Sequence, residues 1–300
     1  MKKVLVLYYS QSGQLLNILD SLLSPLNTDD IELTYENIQM EQAYPFPWSL
    51  IGFLDVMPES VLEVPFPIKQ PILDTNSTYD LIIFAYQPWF LSPSIPATSF
   101  LQSKYARMMK DTPVITVIGS RNMWLMAHEK VKVQLSKLGA TLVMNIPFID
   151  RAPNIASIFT IPAWMLSGSK KFFPFLPKAG VSDNDIQQAK KFGIIILEYL
   201  QSGSYKTAKS LHEQHPAEVI PRLISIERAG NRVFKLWARV IKSIGTQGSW
   251  LRTPFLLLFM VYLVTVISLL FPVTFLLYHM KRVLNPASLA KDIEYFSKGK

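Results

Sequence analysis

The first two hundred residues alternate short apolar runs with stretches of helical periodicity. Buried parallel strands appear as continuous apolar runs, whereas surface helices place apolar residues three or four positions apart. By this criterion, strands are predicted at residues 3–8, 31–36, 80–86, 113–119 and 140–146. Helices are predicted at residues 13–23, 128–138 and 181–200. Strands separated by helices predict an α/β fold with a doubly wound, parallel, five-stranded sheet.

Three loops follow strands of this sheet at the carboxyl ends, where ligands of doubly wound sheets bind. The loop after the first strand, SQSGQ, holds Ser10, Gln11, Ser12, Gly13 and Gln14. The loop after the third strand, residues 87–96, holds Pro88, Trp89 and Phe90. The loop after the fourth strand holds Gly119, Ser120, Arg121, Asn122 and Trp124. A ligand loop directly after the first strand favours the strand order 2-1-3-4-5.

The chemistry of these loops favours one phosphate and a flat ring. SQSGQ has neither the Lys and spacing of a P-loop nor the pattern GxGxxG. The loop therefore lacks the groups that bind a nucleoside triphosphate or a dinucleotide. Backbone N–H groups, hydroxyls and a helix N-terminus can hold a single phosphate monoester. The second loop offers aromatic faces and the third offers polar donors. Together they predict that these residues bind flavin mononucleotide (FMN).

Two residues are candidates for catalysis. Arg121 stands where a flavin carbonyl or a developing enolate needs a donor; the alternative is a surface Arg paired with Asp150 or Glu129. His128 is the imidazole nearest to the ligand edge and a candidate to take a ring proton; the alternative is a packing or capping role. The chain has no cysteine and four scattered histidines, so neither a thiol nucleophile nor a metal site is predicted.

Charge divides the chain into an acidic and a basic half. Residues 1–150 hold ten Lys and Arg against fourteen Asp and Glu, whereas residues 151–300 hold twenty against eight. Residues 219–245 form a basic amphipathic pattern with a single acid, Glu227. Such a helix is typical of the lipid headgroup region, although it also fits a helix packed on the domain with a solvated basic face. A membrane surface accounts for the basic excess, and a nucleic-acid partner is unnecessary.

An uncharged stretch follows at residues 255–278. At ~1.5 Å per residue its 24 residues span roughly 36 Å, enough for the hydrocarbon core. A transmembrane helix is predicted, with a re-entrant segment kinked at Pro272 or a buried core helix as alternatives. The expected organisation is a domain over residues 1–205, a linker and interfacial helix over 206–250, an anchor over 251–282 and a polar tail over 283–300. Apolar insertions at 43–67 and 151–182 suit a substrate with long alkyl tails.

The sequence also resembles known families. YYSQSGQ resembles the phosphate loop of flavodoxins and FMN-dependent quinone reductases, which implies a flavodoxin-like fold. The flavodoxin pattern has Thr or Ser after the second Gln, where this chain has Leu15, so one phosphate hydroxyl is absent. Five segments together resemble the bacterial dialkylresorcinol-condensing enzymes over nearly the whole chain: LVLYYSQSGQL, AYPFPW, DVMPESVL, YQPWFLSPSIP and SRNMWLMAHEKVK.

This resemblance implies a role in dialkylresorcinol synthesis, shared with a ketosynthase that joins two β-keto acyl units. Condensation of the ketosynthase type needs a cysteine, which this chain lacks. We therefore expect FMN-dependent dehydrogenation of a dialkylcyclohexanedione to the aromatic product, at a bacterial inner membrane with the domain on the cytoplasmic side. The alternatives are a condensing or cyclising partner without a redox role and a membrane-associated NAD(P)H:quinone oxidoreductase.

Overall fold

The computed structural model describes residues 1–73 and 77–298, with the side chains of all of these except 154, 155, 158 and 267–277. The strands are β1 (Lys2–Tyr8), β2 (Ile31–Asn37), β3 (Leu81–Tyr86), β4 (Pro88–Trp89), β5 (Ser92–Pro93), β6 (Pro113–Ser120) and β7 (Thr141–Ile149). The helices are α1 (Gln14–Leu23), α2 (Leu50–Asp55), α3 (Met57–Val61), α4 (Ile95–Leu101), α5 (Leu125–Lys137), α6 (Asn154–Ser167), α7 (Asp183–Gln187), α8 (Lys190–Gln201), α9 (Pro221–Ile244), α10 (Thr253–Leu284) and α11 (Pro286–Lys298).

The long strands form one parallel sheet. Within the described residues, its five strands are ordered β2-β1-β3-β6-β7, and every neighbouring pair is parallel. Counted along the chain, this order is 2-1-3-4-5, which is the flavodoxin order among doubly wound sheets. The fold is therefore flavodoxin-like. The predicted order is confirmed, and the predicted strands match the observed ones to within about three residues at either end.

Helices cover both faces of the sheet, as the apolar strands require. Side chains alternate along β1, so that Leu5 and Leu7 enter the core beneath α4, α5 and α9, whereas Val4 and Val6 enter the core beneath α1 and α8. At Gly193 of α8, an added Cβ would lie 2.0 Å from the backbone oxygen of Leu22, so only glycine permits this approach of α8 to α1.

The insertion at residues 43–67 packs against the C-terminal helices. Leu54 and Met57 of α2 and α3 share an apolar cluster with Ile241 of α9 and Phe259 of α10. The apolar face of α9 is therefore buried on the domain, which is the alternative that its sequence pattern left open. Its single acid, Glu227, is fully buried beside α5.

The C-terminal region contains one long helix over most of the predicted anchor and a further helix in place of the predicted polar tail. Residues 253–284 form one helix, but the middle of the predicted anchor, residues 267–277, lies outside the residues whose side chains are described. Among the described residues, none of the helices is both long and apolar enough to cross a membrane. The expected polar tail instead contains α11, whose Phe296 is buried in the core beneath α5 and α9.

Candidate functional site

A cavity of about 210 Å³ lies at the carboxyl edge of the sheet, where the three predicted loops meet. Two apolar insertions complete its wall, through Phe46, Trp48 and Phe53 from residues 43–67 and through Trp164 of α6. Most of the predicted site residues line it: Ser10, Gln11, Ser12, Gln14, Pro88, Trp89, Phe90, Gly119, Ser120 and Arg121. The loops therefore converge as the sequence predicted.

Two hydroxyls at this cavity lack a partner. The Oγ atoms of Ser10 and Ser120 are buried and have no hydrogen-bond partner among the described residues. Buried polar atoms in proteins are nearly always satisfied, so such a pair suits the oxygens of a polar ligand. Beside them Gly13 precedes α1 with φ of 80° and ψ of −15°, a left-handed conformation that favours glycine. An added Cβ at Gly13 would meet no atom within 4 Å, so this side of the loop is open.

The two glutamines of SQSGQ have structural partners. The amide of Gln14 pairs with the backbone of Val181: its Oε1 accepts from the N–H at 3.1 Å, and its Nε2 donates to the carbonyl oxygen at 3.2 Å. Gln11 accepts from the Tyr9 hydroxyl and donates to the carbonyl oxygens of Tyr44 and Pro45. These side chains hold the loop in place, whereas the sequence predicted cofactor contacts for them.

The second loop contains a tight hairpin of β4 and β5, in which Trp89 is paired with Ser92. The two residues at its tip, Phe90 and Leu91, have φ of 49° and 59°. Two consecutive positive φ values characterise a type I′ turn, for which Asn-Gly is preferred. Holding two ordinary residues there costs of order 1–3 kcal/mol each, so the surrounding contacts must impose this shape.

Those contacts place two aromatic rings at the cavity. The ring of Trp89 lies edge-on to Tyr44 and Trp48, with centroids 5.2 and 5.5 Å away. Phe90 stacks on Phe53 at 4.7 Å. From the other side Lys130 donates to Ser92 Oγ at 2.7 Å. The hairpin is therefore a rigid part of the wall.

The third loop contributes the single charged group among the described residues that line the cavity, Arg121. Its Nε donates to Ser157 Oγ of α6 at 2.9 Å, so it joins the sheet edge to the second insertion. Burial lowers the pKa of Arg121 below its ordinary value, and the negative charge of nearby Asp150 offsets only part of this decrease. An arginine nevertheless remains a cation at neutral pH. Gly119 lines the cavity too, although an added Cβ there would lie 3.3 Å from Leu15 Cδ1, so its small size also serves packing against α1.

Four predicted site residues, Gly13, Asn122, Trp124 and His128, are not among those that line the cavity. Asn122 is buried, and Trp124, immediately before α5, is buried beside His128 of the first turn of α5, with ring centroids 5.7 Å apart. Burial lowers the pKa of His128 to about 3, with smaller contributions from Lys132 and His212. The expectation that His128 faces the ligand is therefore wrong: α5 begins three residues earlier than predicted, and its first turn directs this imidazole into the core.

Other residues of the site were missed by the sequence interpretation. Gly180 has φ of 89°, and an added Cβ would lie 2.7 Å from Gln14 Oε1, so it permits the pairing of Gln14 with the backbone. Gln87 joins the first two loops: with its amide oriented for hydrogen bonding, its nitrogen donates to the Tyr9 carbonyl oxygen at 2.8 Å and its oxygen accepts from the Gln11 N–H at 2.9 Å. The motif AYPFPW was the available signal for the wall residues Phe46 and Trp48.

No protein-family model matches this chain, and no curated protein sequence matches it. Among solved structures, a flavoprotein in complex with FMN from Lactobacillus acidophilus NCFM is 20% identical, over 49% of this chain and 93% of that one, with a TM-score of 0.38. A flavodoxin, WrbA-like protein from Agrobacterium tumefaciens is 13% identical, over 67% and 99%, with a TM-score of 0.35. A putative flavoprotein from Bacteroides uniformis is 16% identical, over 55% and 97%, with a TM-score of 0.39. The strand order β2-β1-β3-β6-β7 identifies the fold of this chain.

The residues of the cavity fit FMN in kind. The hydroxyls of Ser10 and Ser120 and the open side of Gly13 suit a phosphate, and Trp89 and Phe90 suit a flat ring. The volume of about 210 Å³ is below the ~300–1,000 Å³ of typical ligand pockets. Phe46, Trp48 and Trp164, which belong to the two insertions, are the side chains that narrow this volume.

Proposed function

We propose that this chain is an FMN-dependent oxidoreductase. The observation that carries the proposal is the pair of partnerless hydroxyls of Ser10 and Ser120. They line one cavity with Arg121 and a wall of aromatic rings, at the edge of the sheet where flavodoxin-like folds bind FMN. Bound FMN would supply an acceptor for two electrons.

The substrate that we propose is a dialkylcyclohexane-1,3-dione made by a partner ketosynthase, and the product is the dialkylresorcinol. The ring loses two electrons and two protons, and aromaticity drives the reaction. The resemblance to dialkylresorcinol-condensing enzymes supports this choice, and so do the apolar insertions that form the wall. Phe46, Trp48 and Phe53 would contact the alkyl chains, which are lipophilic.

Arg121 is the group that we propose to hold the substrate oxygen. A cyclic 1,3-dione readily loses a proton to give an enolate, so a cation beside the oxygen serves better than a strong base. The guanidinium is fixed by Ser157 and partly buried, and electrostatic stabilisation is strong in such an environment. This role does not require His128, which is neutral and buried in the core.

Membrane lipid and the ketosynthase are the proposed partners. Location at the cytoplasmic side of the inner membrane would bring the enzyme to its lipophilic substrate and to quinones that accept electrons. The basic second half of the chain supports a membrane location, because cytoplasmic leaflets are anionic.

The cofactor is tested by titrating the purified protein with FMN and following flavin fluorescence. We expect quenching at one FMN per chain. Ser10→Ala and Ser120→Ala should each weaken binding about tenfold, because each removes one hydrogen bond to a charged group. Ser225→Ala, on the exposed side of α9, is the matched control and should bind as the parent does. No quenching, or equal affinity in all three variants, would refute the FMN site.

The reaction is tested with a synthetic dialkylcyclohexane-1,3-dione under anaerobic conditions. We expect loss of the visible absorbance of bound FMN and one resorcinol per flavin, with Arg121→Ala about 10²-fold slower. Resorcinol formed without FMN would instead make the chain a condensing or cyclising partner. Reduction by NAD(P)H but not by the dione would make it a quinone reductase.

A further inference from the structure

The start of α10 is fastened to the globular domain. Arg252, immediately before α10, is fully buried and pairs with Asp55 at 3.1 Å and Glu59 at 3.0 Å. One turn later Leu256 and Phe259 are buried in the cluster formed by α2, α3 and α9. The first half of α10 therefore lies along the domain.

The end of α10 returns to the same domain. Asp292 of α11 pairs with Lys281 near the end of α10 and with Arg228 of α9, both at 2.8 Å. Further along α11, Phe296 enters the core, and the Ser297 carbonyl oxygen accepts from the Ala217 N–H at 2.8 Å. A spanning helix would place its two ends on opposite sides of a hydrocarbon core about 30 Å thick. In this structure, by contrast, the residues at both ends of α10 contact the same domain.

The outward side of α10 is apolar. Leu258, Val261 and Val264 are 55%, 57% and 59% exposed, and they follow one another at helical spacing. Trp250, in the turn before the helix, is 78% exposed. A row of exposed apolar side chains of this kind usually marks a contact surface.

The outward side of α9 carries the matching charge. α9 and α10 both bury side chains in the same cluster, so they lie next to each other and each has its opposite side away from the domain. Arg222, Arg232, Arg239 and Lys242 are exposed on α9. Because Glu227 is buried, no acid of α9 offsets them. An apolar row beside exposed cations fits the surface of an anionic bilayer.

We infer that the outer sides of α9 and α10 dock on an anionic bilayer with α10 in the plane of the membrane, so that both ends of α10 stay on one side of the membrane. This inference deepens the membrane location within the proposed function, and it does not depend on the flavin. A contact surface takes the place of a membrane-crossing anchor, and α11 lies in the same compartment as the opening of the proposed FMN cavity.

Vesicle flotation of the full-length protein tests the surface. We expect binding to vesicles of phosphatidylcholine with phosphatidylserine and little binding to phosphatidylcholine alone. Arg232→Ser with Arg239→Ser should weaken binding about 30-fold, since each cation near an anionic surface contributes about fivefold. Lys190→Ser with Lys206→Ser removes the same charge from exposed positions elsewhere and should bind as the parent does. Equal loss in both double variants, or no preference for anionic vesicles, would overturn the surface.

Labelling tests the topology, because the cysteine-free chain accepts single cysteines. Ala290→Cys reports on α11 and Ser202→Cys on the domain, and both positions are exposed. In sealed membrane vesicles, a membrane-impermeant maleimide should label both variants to the same extent. If one variant is labelled in sealed vesicles and the other is labelled only after lysis, α10 crosses the membrane and the inference is refuted. FMN binding is measured separately, so failure here leaves the test of the proposed function intact.

Discussion

We expect the stability of this protein to depend on pH through Glu227, a buried carboxyl group of α9. Its carboxyl group is fully buried, and its Oε2 accepts from the Met126 N–H at 3.0 Å, at the start of α5. Burial raises the pKa of Glu227 to about 8, although hydrogen bonds from the N–H groups of Met126, Leu125 and Trp124 oppose the increase. Glu227→Gln keeps an oxygen acceptor for the start of α5 and removes the ionisation.

The sign and size of the effect follow from this difference in pKa. In the unfolded chain the carboxyl ionises near 4.5, so between pH 4.5 and 8 the folded protein keeps a proton that the unfolded chain has lost. The free energy of unfolding of the parent therefore falls as the pH rises through this window. The fall is roughly 4 kcal/mol between pH 5 and 9, at 1.36 kcal/mol for each unit of pKa difference. Glu227→Gln has no such loss.

Urea unfolding followed by tryptophan fluorescence, at each pH from 5 to 9, measures both proteins. Contributions from all other titrating groups are common to the two and cancel in their difference. We expect the variant to gain stability relative to the parent up to about pH 8 and no further. Parallel pH dependences would refute the reasoning, because they would mean that the folded protein holds Glu227 as a carboxylate throughout.

Two further substitutions test the packing around the site. Arg252→Met should lower the free energy of unfolding by about 3–5 kcal/mol, because it leaves two buried carboxylates without a cation. The exposed control Arg222→Met should stay within about 0.5 kcal/mol of the parent. Equal urea midpoints of the two variants would contradict this expectation. Gly180→Ala should destabilise and weaken FMN binding, because its Cβ would displace Gln14. Gly203→Ala, at φ of 74° with no atom within 4 Å, should show only the backbone cost of about 1–2 kcal/mol; FMN affinity lost equally in both would exclude the displacement.

The sheet could be predicted because its signal is local. Each long strand is an apolar run that must be buried on both faces, and a loop of small polar residues after the first strand sets the order. The C-terminal helices were harder, because their partners lie far away in sequence. The pattern of residues 219–245 shows an apolar face and a lone acid, but it does not show that Glu227 contacts the start of α5. Nor does the local sequence show that Arg252 contacts α2 and α3.

The site was predicted at the level of loops and less well at the level of side chains. Strand ends determine which loops converge, so Ser10, Trp89 and Arg121 could be brought together from the sequence. Which way each side chain points depends on contacts that no local pattern reveals. Gln14 binds a segment 167 residues away, and His128 faces the core because of where α5 begins.

The buried pairing of Arg252 with the insertion also sets the timing of folding during synthesis. Glu59 and Arg252 are 193 residues apart in the sequence. Because ribosomes add about 5–20 residues per second, Arg252 is synthesised about 10–40 s after Glu59. During that time the sheet can form from the first 150 residues while Leu54 and Met57 remain uncovered. The nascent chain should accordingly depend on chaperones until α10 emerges, and stalled or truncated chains should aggregate through this insertion.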